Sequence, residues 1–419
     1  MKKTMRALAL LCALALLCVL ANAAAVWIDT PAMRANAAQG AAMLGEQGAT
    51  PQLAGGFKTA QLDNFTAVLI LKTAAYTGGE TALARTFGGF RTDLRAAEGE
   101  NAWLAFCRYA DGRESPTGGL SYSRYWHGYT LPLRLLLCFL NLANIQMLML
   151  AAQGVMLICV VLLLQKRGML RLAPGFLAAF FLMMPPVTGL CLQYVPMTLL
   201  MLCTCAALLA GEIRITQRIG MPGFFAAVGM LTAYFDLFTF PMVSLCFPLV
   251  MLLACRMQEG KSASALWREG LFAAAAWGAG YAGFWALKWL INAAVFGRVY
   301  ASGVLGQIAL RVSEKSNGVQ FTRLGALKEN LFVIFSKSSY LLLLGLATAA
   351  SFAAGIHGKK KADIRALTLL LPMVIPICWM LITSNHVHDH VYYTYRNLTG
   401  AVFAGMAMLV ALFGRRENA

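Results

Sequence analysis

The sequence predicts an all-α, polytopic membrane protein with about ten transmembrane helices and one large external loop. Three observations carry this. Of its 419 residues, 59% are hydrophobic and only 13% charged, with mean hydropathy +0.65; a soluble domain needs about 25% charged residues to cover its surface. Apolar runs approaching the roughly 20 residues that cross a bilayer recur along the chain, too long and uniform for barrel strands. The net charge of +17 is concentrated in short Lys/Arg segments between the runs, as the positive-inside rule expects. That placement argues against nucleic acid as a partner and for membrane lipids.

The elements follow in order. Lys2, Lys3 and Arg6 precede an apolar run from Ala7 to about Ile28. Ala21-Asn22-Ala23 resembles a signal-peptide cleavage site. The run continues past it to Trp27, so a retained first helix is expected, with Trp27 at the interface. Residues 29–130 form the one large hydrophilic section, and their nearly balanced charge places it outside. Within it, 63–71 and 103–106 are apolar stretches too short to span, read as helices lying on the membrane surface.

Further spans are expected at about 144–165, 172–190, 194–211, 222–238, 240–255, 270–293, 338–355, 365–383 and 397–413. Pro185-Pro186 and Pro196 should break or kink their helices. Residues 295–336 make a second external segment. Inner turns are marked by Lys166-Arg167, Arg256 and Lys261, Lys359-Lys360-Lys361 and Arg415-Arg416, which puts both termini inside. The chain, 1–419, reads as a single integral membrane domain without the internal repeat of duplicated transporters. Ten of the eleven cysteines lie in or against apolar runs, which excludes an external disulfide framework, and Cys203-Thr204-Cys205 reads as packing.

Residues for chemistry concentrate near the C-terminus, in Ser384-Asn385-His386-Val387-His388-Asp389-His390-Val391-Tyr392-Tyr393-Thr394-Tyr395-Arg396. Three readings stay open. In an extended chain His386, His388 and His390 share a face and suit a divalent metal such as Zn, Mn or Mg; on a helix, His386 and His390 pair one turn apart. The stretch also suits a hydrogen-bonded interfacial loop. Alternatively His386, His390 and Arg396 hold a phosphate, with Arg396 as bidentate donor.

The opposite wall is expected from the first loop. There, Tyr122-Ser123-Arg124-Tyr125-Trp126-His127-Gly128-Tyr129 supplies Arg124 and His127 among aromatic rings, the equipment either of an aromatic belt or of a sugar–phosphate site. Asp29 closes the first span and Asp63 opens an apolar helix; each is a helix-cap or general-base candidate. Asp236, near the outer end of a span without a Lys or Arg within a turn, is an intramembrane acid: a functional candidate, or half of a buried pair with Arg396 or Arg124.

This layout resembles the GT-C superfamily of polytopic membrane glycosyltransferases, which share an inside N-terminus, many spans and a large first external loop with membrane-surface helices. Leu62-Asp63-Asn64-Phe65-Thr66, Arg124 to Tyr129, Asn385-His386, His390 and Tyr395-Arg396 are similar to segments of a group of uncharacterised bacterial membrane proteins of this shape. The sequence departs from the superfamily pattern in having no paired Asp-Glu after the first span. The resemblance implies an inverting glycosyltransferase in a bacterial cytoplasmic (inner) membrane. It would move a sugar from a polyprenyl-phosphate donor to a glycan or lipid acceptor on the outer face, as in cell-envelope polysaccharide assembly. Asp29 or Asp63 would be the base, and His386, His390, Arg396, Arg124 and His127 would meet the donor phosphate. The alternatives are a transporter or flippase of a lipid-linked saccharide, working through Asp236, and a polysaccharide polymerase or ligase.

Overall fold

The structure, a computed structural model, describes residues 2–92, 94, 96–109, 119–211, 214–316, 318–353 and 363–413. Lys359-Lys360-Lys361 and Arg415-Arg416 lie outside the described residues. The described residues are mostly helical. Four segments are long and apolar enough to cross a membrane: Lys2–Val26, Leu142–Lys166, Ile364–Ile382 and Val391–Leu412. A fifth arises if the pair Arg323–Phe335 and Ser338–Ala353, bent by 73°, counts as one. Several apolar helices are shorter, so the count falls below the ten expected from hydropathy alone.

Helix α1 (Lys2–Val26) buries only Cys18, Asn22 and Ala25 and turns the rest of an apolar surface outward, as a lipid-facing helix does. Thr30 caps α2 (Pro31–Gln47) by accepting from the Met33 amide, with Pro31 at the first position, where its missing N–H costs nothing. Asp63 caps α3 (Asn64–Ala74) through the Thr66 amide. This corrects the expectation of a helix lying on the membrane surface. Residues Ala67–Ala74 and Asn64 are all buried; protein covers even Lys72, whose Nζ donates to the Phe106 carbonyl at 2.8 Å.

Short helices α4 (Ala82–Gly88), α5 (Ala102–Cys107) and α6 (Thr130–Leu137) complete the section. Buried Arg134 ties it together. Its guanidinium donates to the carbonyls of Ala25, Ile28, Ala74 and Tyr76. One side chain thus satisfies chain ends that would otherwise be orphaned away from water.

Asn141 caps α7 (Leu142–Lys166). The expected proline break appears between α8 (Ala173–Leu182) and α9 (Pro185–Leu190), where Met184 takes φ +59°. Then come α10 (Val195–Leu209), α11 (Arg214–Phe235), α12 (Val243–Gln258) and α13 (Ala263–Phe296). Helices α11 and α13 nearly touch backbone to backbone. A Cβ at Gly229 would lie 2.1 Å from the Trp277 carbonyl oxygen, and one at Gly280 2.1 Å from that of Ala226. Small residues at such crossings are how apolar helices pack without a hydrophobic driving force.

The segment expected at 295–336 folds as α14 (Arg298–Arg311), a hairpin of β1 (Lys315–Ser316) and β2 (Val319–Gln320), and α15 (Arg323–Phe335), which leads into α16 (Ser338–Ala353). The chain closes with α17 (Leu370–Ile382), α18 (Ser384–Asp389), α19 (Val391–Thr394) and α20 (Thr399–Phe413).

Loops expected on one side meet at one end of the bundle. Arg167 Nε donates to the Leu209 carbonyl at 2.6 Å, Gln258 Nε2 to that of Arg167 at 2.9 Å, and Arg365 to those of Met257 and Lys261. The histidine stretch, the 236–239 turn and residues 59–63 gather at the other.

Candidate functional site

Helix α18 decides between the two geometries open for the histidines. The His390 amide donates to the His386 carbonyl at 3.1 Å, so His386 and His390 share a face with ring centroids 4.7 Å apart. His388 points elsewhere. Its ring stacks on Phe321 at 4.2 Å, and its Nδ1 lies 3.2 Å from Glu329 Oε2. The three imidazoles do not converge, and among the described residues no group of three His, Cys, Asp or Glu could hold a metal. The metal-site expectation for His386, His388 and His390 does not fit, because a helix, not a strand, carries them.

His386 is buried and held at both ring nitrogens. Nε2 lies 2.6 Å from the Phe238 carbonyl and Nδ1 3.1 Å from an Arg311 guanidinium nitrogen. A carbonyl only accepts and a guanidinium only donates, so the proton is on Nε2 and the ring is neutral. Burial, with His390 and Arg311 alongside, holds the His386 pKa well below the ordinary histidine value; burial and Arg311 bring His390 down to about 4. Neither is a cation near neutral pH, so the expectation that they neutralise a phosphate is corrected. Their neighbour Arg311 carries the charge.

Arg311 belongs to α14, one turn beyond Gln307, and Gln307 Oε1 accepts from Arg124 at 2.5 Å. Arg124 also lies over the rings of Tyr122 and Tyr125, at 4.9 and 5.9 Å. The tyrosine-rich stretch of the first loop and the histidine stretch are therefore linked through α14.

Asp236 lies where α11 ends. Its Oδ1 accepts from the Thr239 amide at 2.8 Å and the Thr239 hydroxyl at 2.6 Å. Oδ2 is buried without a hydrogen bond. The tight turn forces Phe238 to φ +65°, a costly conformation for an aromatic residue that aims its carbonyl at His386. Tyr281 lies within electrostatic reach of Asp236. Its hydroxyl is likewise buried, with the Trp285 indole as neighbour, and Tyr281 and Phe238 both pack on the Trp379 ring. Buried polar atoms left unpartnered are rare and call for an explanation.

The remaining expected site residues are occupied. Arg396 is fully buried. Its Nε donates to the Met183 carbonyl at 2.8 Å, and its two terminal nitrogens to those of Tyr392 at 3.0 Å and Thr59 at 3.1 Å. That joins three chain segments and leaves no fork for a phosphate. His127, at φ +57°, lies 2.7 Å from the Tyr122 carbonyl and 2.8 Å from the Tyr129 hydroxyl; burial takes its pKa to about 3.

Asp29 forms an ion pair with Arg34 and lies near Arg134, at the junction where α1 meets the first loop. Asp63 does reach the histidine stretch, close to Tyr194, Tyr392 and Tyr393. Burial raises its pKa, and Gln193 Nε2 donates to its backbone carbonyl at 2.9 Å. Sequence reasoning missed Arg311 and Tyr281. The one legible trace of Arg311 was the Gln307–Arg311 spacing, which puts both on one face of a helix in the second external segment.

No family model, curated protein or solved structure matches this chain.

Proposed function

We propose that the protein is an inverting glycosyltransferase of the GT-C kind. It takes a sugar from a polyprenyl-phosphate donor to a glycan or lipid acceptor at the outer face of a bacterial cytoplasmic membrane. The reading takes ten spans with both termini cytoplasmic, the shorter helices α8, α10 and α12 sharing in spans and the histidine end facing outward. One observation carries it: Asp236, buried with a free Oδ2, stands behind the turn whose Phe238 carbonyl meets His386 Nε2, and Arg311 meets Nδ1 of the same imidazole.

In the reaction Asp236 Oδ2 takes the proton of the acceptor hydroxyl, whose oxygen bonds the anomeric carbon opposite the phosphate. The sugar–phosphate C–O bond breaks, and its electron pair leaves on the phosphate oxygen. Arg311 and Arg124 meet that developing charge. His386 positions Arg311 and carries no charge itself. Asp29, paired with Arg34, and Asp63, engaged as a cap, leave the base role to Asp236.

The test is sugar transfer by the purified protein from a panel of polyprenyl-phosphate sugars. Arg311→Gln should raise the donor KM about tenfold to a hundredfold, the worth of hydrogen bonds to a charged group, with an unchanged unfolding temperature. No transfer from any donor rejects the reading. The same buried acid favours a second reading, movement of a lipid-linked saccharide across the membrane; uptake of labelled donor into vesicles without sugar transfer would select it.

A further inference from the structure

At the opposite, basic end of the bundle, α1, α11, α12 and α13 surround an open cavity of about 460 Å³. Lys3, Arg256, Lys261 and Arg268 line it together with a single carboxylate, Glu269. Arg256 already answers that carboxylate, with Nε 3.0 Å from Glu269 Oε1, and also holds Glu259 at 2.8 Å. Lys3, Lys261 and Arg268 have no ion-pair partner among the described residues. Three cations around one concavity repel one another unless an anion sits between them.

The backbone adds to this. Helix α11 is interrupted at Gly220 (φ +75°) and resumes with Pro222 in its first turn; Gly220, Met221 and Pro222 all line the cavity. A helix that restarts there brings unpaired N–H groups and the positive end of its dipole to the cavity edge. Gly223 permits the arrangement: a Cβ there would lie 3.0 Å from the Ala7 Cβ, so α1 packs against the restart at Ala7, one turn beyond Lys3. On α13, one turn beyond Arg268, Phe272 lines the cavity and is 60% exposed. The cavity is cationic within and apolar at its rim.

We propose that this cavity binds the phosphate headgroup of an anionic lipid. Lys3, Lys261, Arg268 and the restart of α11 hold the phosphate, and an acyl chain lies along Phe272. The site is independent of the chemistry at Asp236. A soluble phosphate ester presents the same group to the cations, so the experiment separates the two sources.

Native mass spectrometry of the full-length protein in detergent, titrated with phosphatidylglycerol or phosphatidylcholine, reads the bound lipid. Phosphatidylglycerol should be retained over phosphatidylcholine, with affinity about fivefold weaker for each cation removed in Lys261→Gln and Lys261→Gln/Arg268→Gln. Both residues are exposed, and Lys3→Gln gives an independent variant if the double one folds poorly. Competition by inorganic phosphate, weakened by the same variants, assigns the site to a soluble phosphate. Retention of phosphatidylglycerol by the variants at wild-type affinity, or no preference over phosphatidylcholine, overturns the proposal.

Discussion

Two buried polar junctions lie at the same end of the bundle, bridged by Tyr393, and they use their charges in opposite ways. At the first, Arg396 gives its guanidinium to three backbone carbonyls and lies against the faces of Tyr194 and Tyr395. At the second, Asp236 keeps one oxygen without a hydrogen bond, Phe238 is held at positive φ, and Arg311 meets one edge of His386. Tyr393 packs on Tyr194 at 5.8 Å and stacks on His390 at 5.1 Å, so the two are neighbours. A satisfied network specifies structure; an unsatisfied one costs stability, and functional sites are where that cost is tolerated. The proposed chemistry is assigned to the second junction for that reason.

The sharpest way to break the comparison is to exchange what each junction loses. Asp236→Asn should lower the transfer rate about a thousandfold, within the range of a lost general base, and leave the unfolding temperature unchanged or raised, since a buried carboxylate is costly. Kinetics and a thermal melt on the same preparation check this; near-wild-type turnover would return the base role to Asp63.

Arg396→Ala should do the reverse. It strands the carbonyls of Met183, Thr59 and Tyr392, at about 1–3 kcal/mol for each one left buried and unpaired, so thermal stability falls steeply. The fraction that remains folded should turn over substrate with a KM close to wild type. A KM raised tenfold or more in folded protein would put Arg396 back on the phosphate.

The histidines give a smaller, pH-dependent difference. His390 titrates at about 4 in the folded protein, below the usual 6.5. Between those values the unfolded chain takes up a proton that the native state refuses. The His390 contribution is therefore complete above about pH 6.5 and is lost as pH falls toward 4. His127 acts in the same sense, to still lower pH. Asp63, pushed upward by burial, acts in the opposite sense, so the readout is a difference between proteins. Between pH 6.5 and pH 4.5 wild type should lose about 2 kcal/mol more stability than His390→Gln. Parallel slopes would mean His390 is charged in the native state.

What the sequence shows of this follows the range of the interactions. The break at Pro185-Pro186, the cap at Asp63 and the pairing of His386 with His390 are local. Dihedral restriction, a side chain three residues from an amide, and the 3.6 period determine them. Arg396 was misjudged because its worth depends on carbonyls of Thr59 and Met183, distant in sequence, which no pattern announces. Arg311 was passed over for the same reason. It belongs to a segment that hydropathy marks only as external, and only the docking of α14 on α18 gives it a role. Asp236 was visible as an anomaly, an acid in an apolar run, but that its second oxygen stays without a hydrogen bond is a tertiary fact. The burial of α3 was hidden too, since an apolar helix too short to span looks the same on a membrane surface as inside a protein.

The smallest expected effect discriminates best between a metal centre at the histidine stretch and a stretch without one. His388 stacks on Phe321 with ring planes 14° apart, on the face of α18 turned from Asp236 and Arg311. His388→Phe keeps a flat ring for that stack and removes both nitrogens. The contact with Glu329, whose side chain is 51% exposed, is worth about 0–1 kcal/mol as a surface pair. Activity should therefore stay within about twofold of wild type, because nothing that touches the reacting atoms has changed. A metal centre built on alternating histidines requires the opposite: losing one of three protein ligands removes metal and turnover together. Collapse of activity in His388→Phe, with an unchanged melt, would restore the metal centre and demote the Asp236 junction to a structural role.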